Sequence, residues 1–530
     1  MCCHRVGCHR TRRHRSTSHC TYSRPGCSPG GNIVKQLTGL DTSFLNLETS
    51  TSFGHISSLS IYQRPTGNKD FDPYQVLRDQ IESKLGLLEP FRRRLVEVPL
   101  GLDRPYWISD PDFDLDFHVR HIGVPGEGND QQVGDLVGRL IGRPMDRSRP
   151  LWEAYVIEGL ASGDFAVLLK LHHSTIDGAA GAEMVALLLD PETSDEHRNW
   201  APESEPGTGE LLARTAFGMV KTPAKALRLQ IKMLNELGRV TRNPGFTTVA
   251  GSLQRGIPGP AGEVVRRALG SPDKADEQDQ VPLLPRMGGP RTPFNATITA
   301  HRRFAYKAVP FEHVRAIKNE LGATVNDVVM AVCAGGLRRY LDSHDELPDE
   351  NLIAMIPVSI RTGEETEKWS NRVSAIFADL PTTVDDPVQR VADVHQSMVA
   401  AKGQFDLMPA DMIADLSDLA PPALAVRAAR LAARTRLADR TNPPANLVVS
   451  NVPGPRAPLF LGDAQLLHYY PVSTVVDGQG LNITVQSYVD WLDFGLVACR
   501  ELVPDLWDLL DMIVDDLYAL ADELGLKLKR

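Results

Sequence analysis

The feature that most limits how this chain can fold is an interruption. From about Ala201 to Gly289 the regular patterning is broken, opening on APESEPGTGE and closing on GSPDKADEQDQVPLLPRMGGP, both rich in Pro, Gly and charge. On either side, strand-like and helix-like runs alternate. Before the break come an alternating run at Ile56–Tyr62, helical periodicity from Tyr74 to Leu88, and a helix from Gln131 to Leu140. WEAYVIEGL and FAVLLKLHH then read as neighbouring strands joined by ASGD, short enough for a hairpin. After the break, helices are expected at 311–321, 326–341, 386–402, 422–437 and 505–524. Strands are expected at NLIAMIPVSI, VSAIFADL, NLVVSNV, LNITVQSYV and FGLVACREL. Neither half follows strict βαβ alternation. The expectation is an α/β protein of two lobes with mixed sheets and a long crossover: residues 33–200, a crossover at 201–290, and 291–530. At 530 residues the chain exceeds what one ordinary core supports, which agrees with that division.

Residues 1–32 stand apart. They hold six Arg and no acid, leaving 51 basic against 67 acidic side chains in the rest. An acidic body lacks the basic surface that neutralises phosphates, so no nucleic-acid partner is expected. Cys2, Cys3, Cys8, Cys20 and Cys27 are interleaved there with His4, His9, His14 and His19, which suggests a zinc module. Against zinc, the spacings fit no paired C-x2-C or H-x3-H pattern and the segment has almost no apolar residues. The expectation is a disordered leader or a mistaken upstream start, with Val34 as an alternative initiation point. Cys333 and Cys499 lie in apolar runs and read as buried small hydrophobes. With no disulfide framework indicated, a reducing cytoplasm is expected. No run approaches 18 apolar residues, so no transmembrane helix is expected.

The chain has no GxSxG elbow, P-loop, HExxH or GxGxxG following a strand. The DFG at Asp493–Gly495, without other kinase elements, reads as strand. What remains is LLKLHHSTIDGAAGAEM, from Leu168 to Met184. Consecutive side chains on a strand point to opposite faces, so His172 and His173 cannot both serve one small site unless the strand has ended. That weakens a metal site built from both with Asp177, and no metal is expected. It leaves one histidine for a cleft and the other for packing or orientation. Ser174, Thr175, Asp177 and Gly178 are turn and capping residues before a helix-like Ala179–Leu189. A histidine at such a strand-to-helix corner suits a general base, since its usual pKa lies near neutrality; the alternative is a satisfied structural histidine.

LHHSTIDG fits HHxxxDG, the signature of the coenzyme-A-dependent acyltransferases. Its companions are LTGLDTSFLNLE, SRPLWEAYVIEGL, TPFNATITAHRRFA, ATVNDVV and SNVPGP. Together they resemble the bacterial wax ester synthase/acyl-CoA:diacylglycerol acyltransferase family, especially its actinobacterial triacylglycerol synthases, from roughly Leu37 to the C-terminus. The resemblance implies two chloramphenicol-acetyltransferase-like lobes with a channel between them. It implies His173 as the base beside His172, Asp177 holding the loop, and Gly178 easing the turn. Asn326 and Asp327, which read alone as a helix cap, become by resemblance a pair shaping the site from the second lobe. SNVPGP would line the channel mouth, and Trp152 would be buried at a strand start. The implied reaction moves a long acyl group from acyl-CoA to diacylglycerol or a long-chain alcohol, with acyl-CoA as co-substrate and no other cofactor. Other readings are an acyltransferase of another acceptor, a condensation-domain-like amide former, or a catalytically weak binding protein of lipid droplets.

Such substrates are not free in water, so peripheral contact with the inner face of the plasma membrane or with lipid droplets is expected. The crossover offers KTPAKALRLQIKMLNELGRVTR. Seven basic residues and one acid lie between Leu211 and Arg242, with Leu227, Ile231 and Leu234 on one stripe. It reads equally as an interfacial helix on anionic lipid or as a helix packed on the body. Arg427, Arg430 and Arg434 share one helix face and would suit phosphates of lipid or CoA, or simply solvent.

Overall fold

The hairpin expected from WEAYVIEGL and FAVLLKLHH is the centre of the first lobe. Trp152–Glu158 and Phe165–His172 pair antiparallel, Trp152 opposite Leu171 and Glu153 opposite Lys170. Residue parity sorts their side chains as strand geometry demands. Trp152, Ala154, Val156, Phe165, Val167, Leu169 and Leu171 enter one core. Tyr155, Ile157, Ala166 and Leu168 enter another on the opposite face. Lys170 and His172 lie on that second face. The buried Lys170 ammonium donates to the Leu140 and Arg143 carbonyls and sits 3.5 Å from Glu153. Trp152 is buried, as expected; its indole N–H donates to Phe91 O (2.7 Å), and His118 stacks on it while bonding Trp152 O (2.8 Å).

The model, a computed structural model, describes residues 34–176, 178–190, 200–218, 288–359, 373–406, 427 and 430–530. Val34–Arg530 form one compact unit. The first six-stranded sheet runs in the order 460–461, 464–472, 55–62, 165–172, 152–158, 119–123. The second runs 373–380, 352–359, 447–452, 481–488, 491–499, 302–310, and both mix parallel with antiparallel pairs. Helices Val325–Ser343, Pro387–Asp406 and Leu506–Glu523 pack over the second sheet, whose inward residues Leu481, Ile483 and Val485 join their core. Cys333 and Cys499 are buried and free, and the DFG residues lie in the Trp491–Cys499 strand.

Several strands are absent from the sequence expectations, among them 119–123, 302–310 and 464–472. Ala464–Val472 lies late in the chain yet pairs antiparallel with His55–Tyr62 in the first sheet. It also touches the second sheet. A Cβ at Gly495 would stand 1.8 Å from Pro471 O, so only glycine lets the two backbones approach there. The buried Asp493 carboxylate accepts hydrogen bonds from Tyr469 N–H (2.7 Å) and His468 Nδ1 (3.1 Å).

The leader, Asp177 and the basic crossover helix beyond residue 218 lie outside the described residues. So does most of the 422–437 helix, of which Arg427, Arg430 and Arg434 are described and exposed. No single described helix is long and apolar enough to cross a membrane.

Candidate active site

The Phe165–His172 strand ends at His172, and His173 begins the turn. The buried His172 faces the second core of its lobe, opposite His55. Its Nδ1 receives the Ser174 backbone N–H at 3.1 Å and lies 2.7 Å from Ser174 Oγ. An Nδ1 that accepts a backbone N–H carries no proton, so the neutral ring holds its proton on Nε2. That nitrogen stands 3.2 Å from Glu48 Oε1. Glu48 also accepts the Gly54 N–H (2.8 Å) and pairs with Arg147 (2.6 Å). Burial by itself would raise the Glu48 pKa. The close approach of His172, with the Gly54 N–H and Arg147, outweighs burial and holds the carboxyl at about 2.

Further contacts clamp the turn. Thr175 N–H and Oγ1 both donate to His172 O (2.9 and 2.6 Å). The guanidinium of Arg93, buried beneath Trp107, donates to Thr175 O (2.8 Å). His173 N–H donates to Gly54 O (2.7 Å). Gly54 has no room for a side chain: a Cβ would lie 2.7 Å from His172 Nε2. Neither Glu48 nor Arg93 was singled out from sequence. Glu48 closes the LTGLDTSFLNLE block, but nothing in that block marks it as a partner of His172 and Arg147.

The His173 ring is half-buried and stacked on Phe44, centroids 4.0 Å apart and planes 10° apart. It borders two adjoining cavities. The larger, about 530 Å³, is walled mainly by apolar groups, among them Leu47, Phe53, Met355, Phe377, Val475 and Val476. The smaller, about 260 Å³, runs along Ile56, Leu171 and Val185 and carries more polar groups, including Ser57, Ser450, Thr484 and Gln486. Four residues line both: His173, Pro357, Val448 and Ser473. His173 and Pro357 come from the two different sheets' segments, so the cavities meet where the lobes face each other.

Of the expected site residues, His172 and His173 are separated as strand geometry required. Gly178 is the first residue of the helix Gly178–Leu188. Ser450, Asn451, Val452 and Pro453 of SNVPGP line the smaller cavity. Asn326 and Asp327 line neither cavity. They sit at the start of the helix Val325–Ser343. There Asp327 completes a capping box with Thr324 and accepts from His395 Nδ1 at 2.9 Å. The cap reading describes the contacts of Asp327.

Residues 37–329 match the wax ester synthase/diacylglycerol acyltransferase catalytic domain, and residues 369–521 match the C-terminal domain of the same family. The chain belongs to the wax ester synthase/diacylglycerol acyltransferase family. It is 34% identical over 493 residues to a Mycobacterium tuberculosis protein named as a diacylglycerol O-acyltransferase, covering 92% of this chain and 100% of the relative. It is 32% identical to the O-acyltransferase WSD of Acinetobacter baylyi, covering 91% and 96%. Among solved structures, the wax ester synthase/diacylglycerol acyltransferase of Marinobacter aquaeolei VT8 superposes with a TM-score of 0.63 at 29% identity, covering 93% of this chain and 100% of that one. The first condensation domain of a calcium-dependent antibiotic synthetase superposes with a TM-score of 0.51 at 15% identity, covering 93% and 96%, a likeness of fold alone. The architecture is that of the CoA-dependent acyltransferases.

Proposed function

We propose that this family member transfers a long-chain acyl group from acyl-CoA to diacylglycerol, giving triacylglycerol and CoA, and that it also accepts long-chain alcohols. The observation that carries the reading is the position of His173, at the meeting of two cavities. Two chains can approach one imidazole there, one of them along a nearly apolar wall. His173 takes the proton of the acceptor hydroxyl as its oxygen attacks the thioester carbon. The C=O electrons move onto oxygen. Collapse of the tetrahedral intermediate breaks the C–S bond, and the CoA thiolate recovers the proton from the imidazolium. Glu48, His172 and Arg93 act on the turn that carries His173, not on the substrates. Asp177 is assigned to loop support, and Asn326 and Asp327 to shaping the second lobe, on the family motifs. Peripheral association with the inner face of the plasma membrane or with lipid droplets is proposed from the nature of the substrates.

The test is turnover of radiolabelled acyl-CoA by the purified full chain and by His173→Ala, with either diacylglycerol or a long-chain alcohol. Ester formation with the parent and its loss in the variant are expected. No product with either acceptor would leave the reading of a catalytically weak lipid-binding protein. Co-flotation with vesicles containing anionic lipid tests the membrane part, and protein that stays at the bottom of the gradient refutes it.

A further inference from the structure

We infer that Ser473 is a catalytic residue, donating its hydroxyl hydrogen to the oxyanion of the tetrahedral intermediate. The inference rests on the acyl-transfer reading above and names a residue which that reading leaves open.

The attack on the thioester places a full negative charge on the former carbonyl oxygen, in a channel whose walls are largely apolar. A preorganised donor must stand beside the reacting carbon, and that carbon must lie beside His173. Of the four residues that line both cavities, Pro357 and Val448 have no side-chain donor. Ser473 is therefore the side-chain O–H that shares the junction with His173.

Its hydrogen is free to serve there. Asn482 places one terminal atom 3.2 Å from the Thr474 carbonyl oxygen and 3.1 Å from Ser473 Oγ. A carbonyl only accepts, so that terminal atom is the amide nitrogen. With that assignment Thr484 Oγ1 donates to the other terminal atom, Asn482 Oδ1, at 2.8 Å. Ser473 Oγ thus accepts from Asn482, which spends a lone pair and leaves the O–H to point elsewhere. Among the described residues no acceptor for that hydrogen lies within bonding distance.

The local fold holds this donor still. Ser473 follows directly on Val472, the last paired residue of the crossing strand, opposite Ser57. The neighbouring Pro471 is pressed against Gly495 of the second sheet. Asn482 is buried on the channel-facing side of the Leu481–Tyr488 strand, with Thr484 two residues on. In the reaction, the new O–C bond forms as the carbonyl electrons shift to oxygen, and Ser473 hydrogen-bonds that oxygen without giving up its proton. When the C–S bond breaks, the charge passes to the thiolate and the Ser473 contact weakens.

The experiment is steady-state kinetics of the full chain with acyl-CoA and diacylglycerol for S473A, S473T and S473C, beside H173A. Removing one such donor is expected to lower kcat about 10²- to 10³-fold. KM for acyl-CoA should stay within about threefold, since the contact exists only in the transition state. S473T keeps the hydroxyl and should recover at least about tenfold of that loss in kcat. Should the alanine chain fail to fold, S473C retains the shape with a poorer donor, and its kcat should fall by more than about tenfold. Parental kcat in S473A or S473C, or a loss carried by KM alone, overturns the assignment. If H173A is inactive while S473A turns over normally, only the role of Ser473 fails. If H173A is fully active, the general-base reading fails, and the kcat of S473A still decides Ser473 by itself.

Discussion

The two walls of the channel are built in different ways. On the first-lobe side, a turn of a few residues carries His173, and charged groups from distant segments hold it: Glu48 with Arg147, and the buried Arg93. On the second-lobe side, Asn482, Thr484 and Gln486 reach the cavities simply because alternate residues of a strand share a face. A turn has no ladder to fix it, so its geometry rests on a few costly interactions. A strand face is positioned by a whole sheet. The first wall should therefore break sharply when one brace is removed, and the second should yield by small amounts.

The sharpest break is chemical. His173→Ala should reduce kcat about 10²- to 10⁴-fold, the range for loss of a general base, with little change in melting temperature. Glu48→Ala comes next. It leaves the buried His172 Nε2–H and the half-exposed Arg147 without their carboxylate and should cost about 2 kcal/mol of stability in denaturant melts, with a fall in activity. A stability loss below about 1 kcal/mol would show the brace to be dispensable.

Acid should find the first lobe before any other part. Glu48 is held at about 2 against its usual 4.5, so the folded state releases that proton more readily than the unfolded one. Its contribution is complete above pH 4.5 and drains away as pH falls towards 2. Burial lowers His118 to about 4 from 6.5. The unfolded chain then binds that proton first, and stability starts to fall below pH 6.5. Thermal melts between pH 7 and pH 3 test this, and a flat profile down to pH 4 would contradict it.

On the strand wall, Thr484→Val removes one hydrogen bond to Asn482 and should cost about 1 kcal/mol, measured in the same melts. Asp327→Ala, which opens a capping box, should cost a similar amount, about 1 kcal/mol. A loss from Thr484→Val as large as that from Glu48→Ala would erase the contrast between the walls.

Much of the fold was legible wherever one local rule decided the outcome. The hairpin at Trp152–His172, the terminal helix and the separation of the two histidines follow from periodicity, turn residues and strand alternation. Ala464–Val472 was not legible. It follows the Pro-rich SNVPGPRAPLF, and the strand that it pairs with lies near the other end of the chain. Long-range pairing leaves no local trace. The same holds for Glu48 and Arg93, whose importance comes from what surrounds them. Asp327 is the opposite case, where a local capping motif already describes the contacts that the side chain makes.

The pairing of His55–Tyr62 with Ala464–Val472 bears on synthesis as well as architecture. About 400 residues separate the two strands, and a ribosome takes roughly 20–80 s to make that length. For that time the nascent first sheet has an open edge along His55–Tyr62, a template for pairing with other chains. That edge is closed only when Ala464–Val472, in the last eighth of the chain, has emerged.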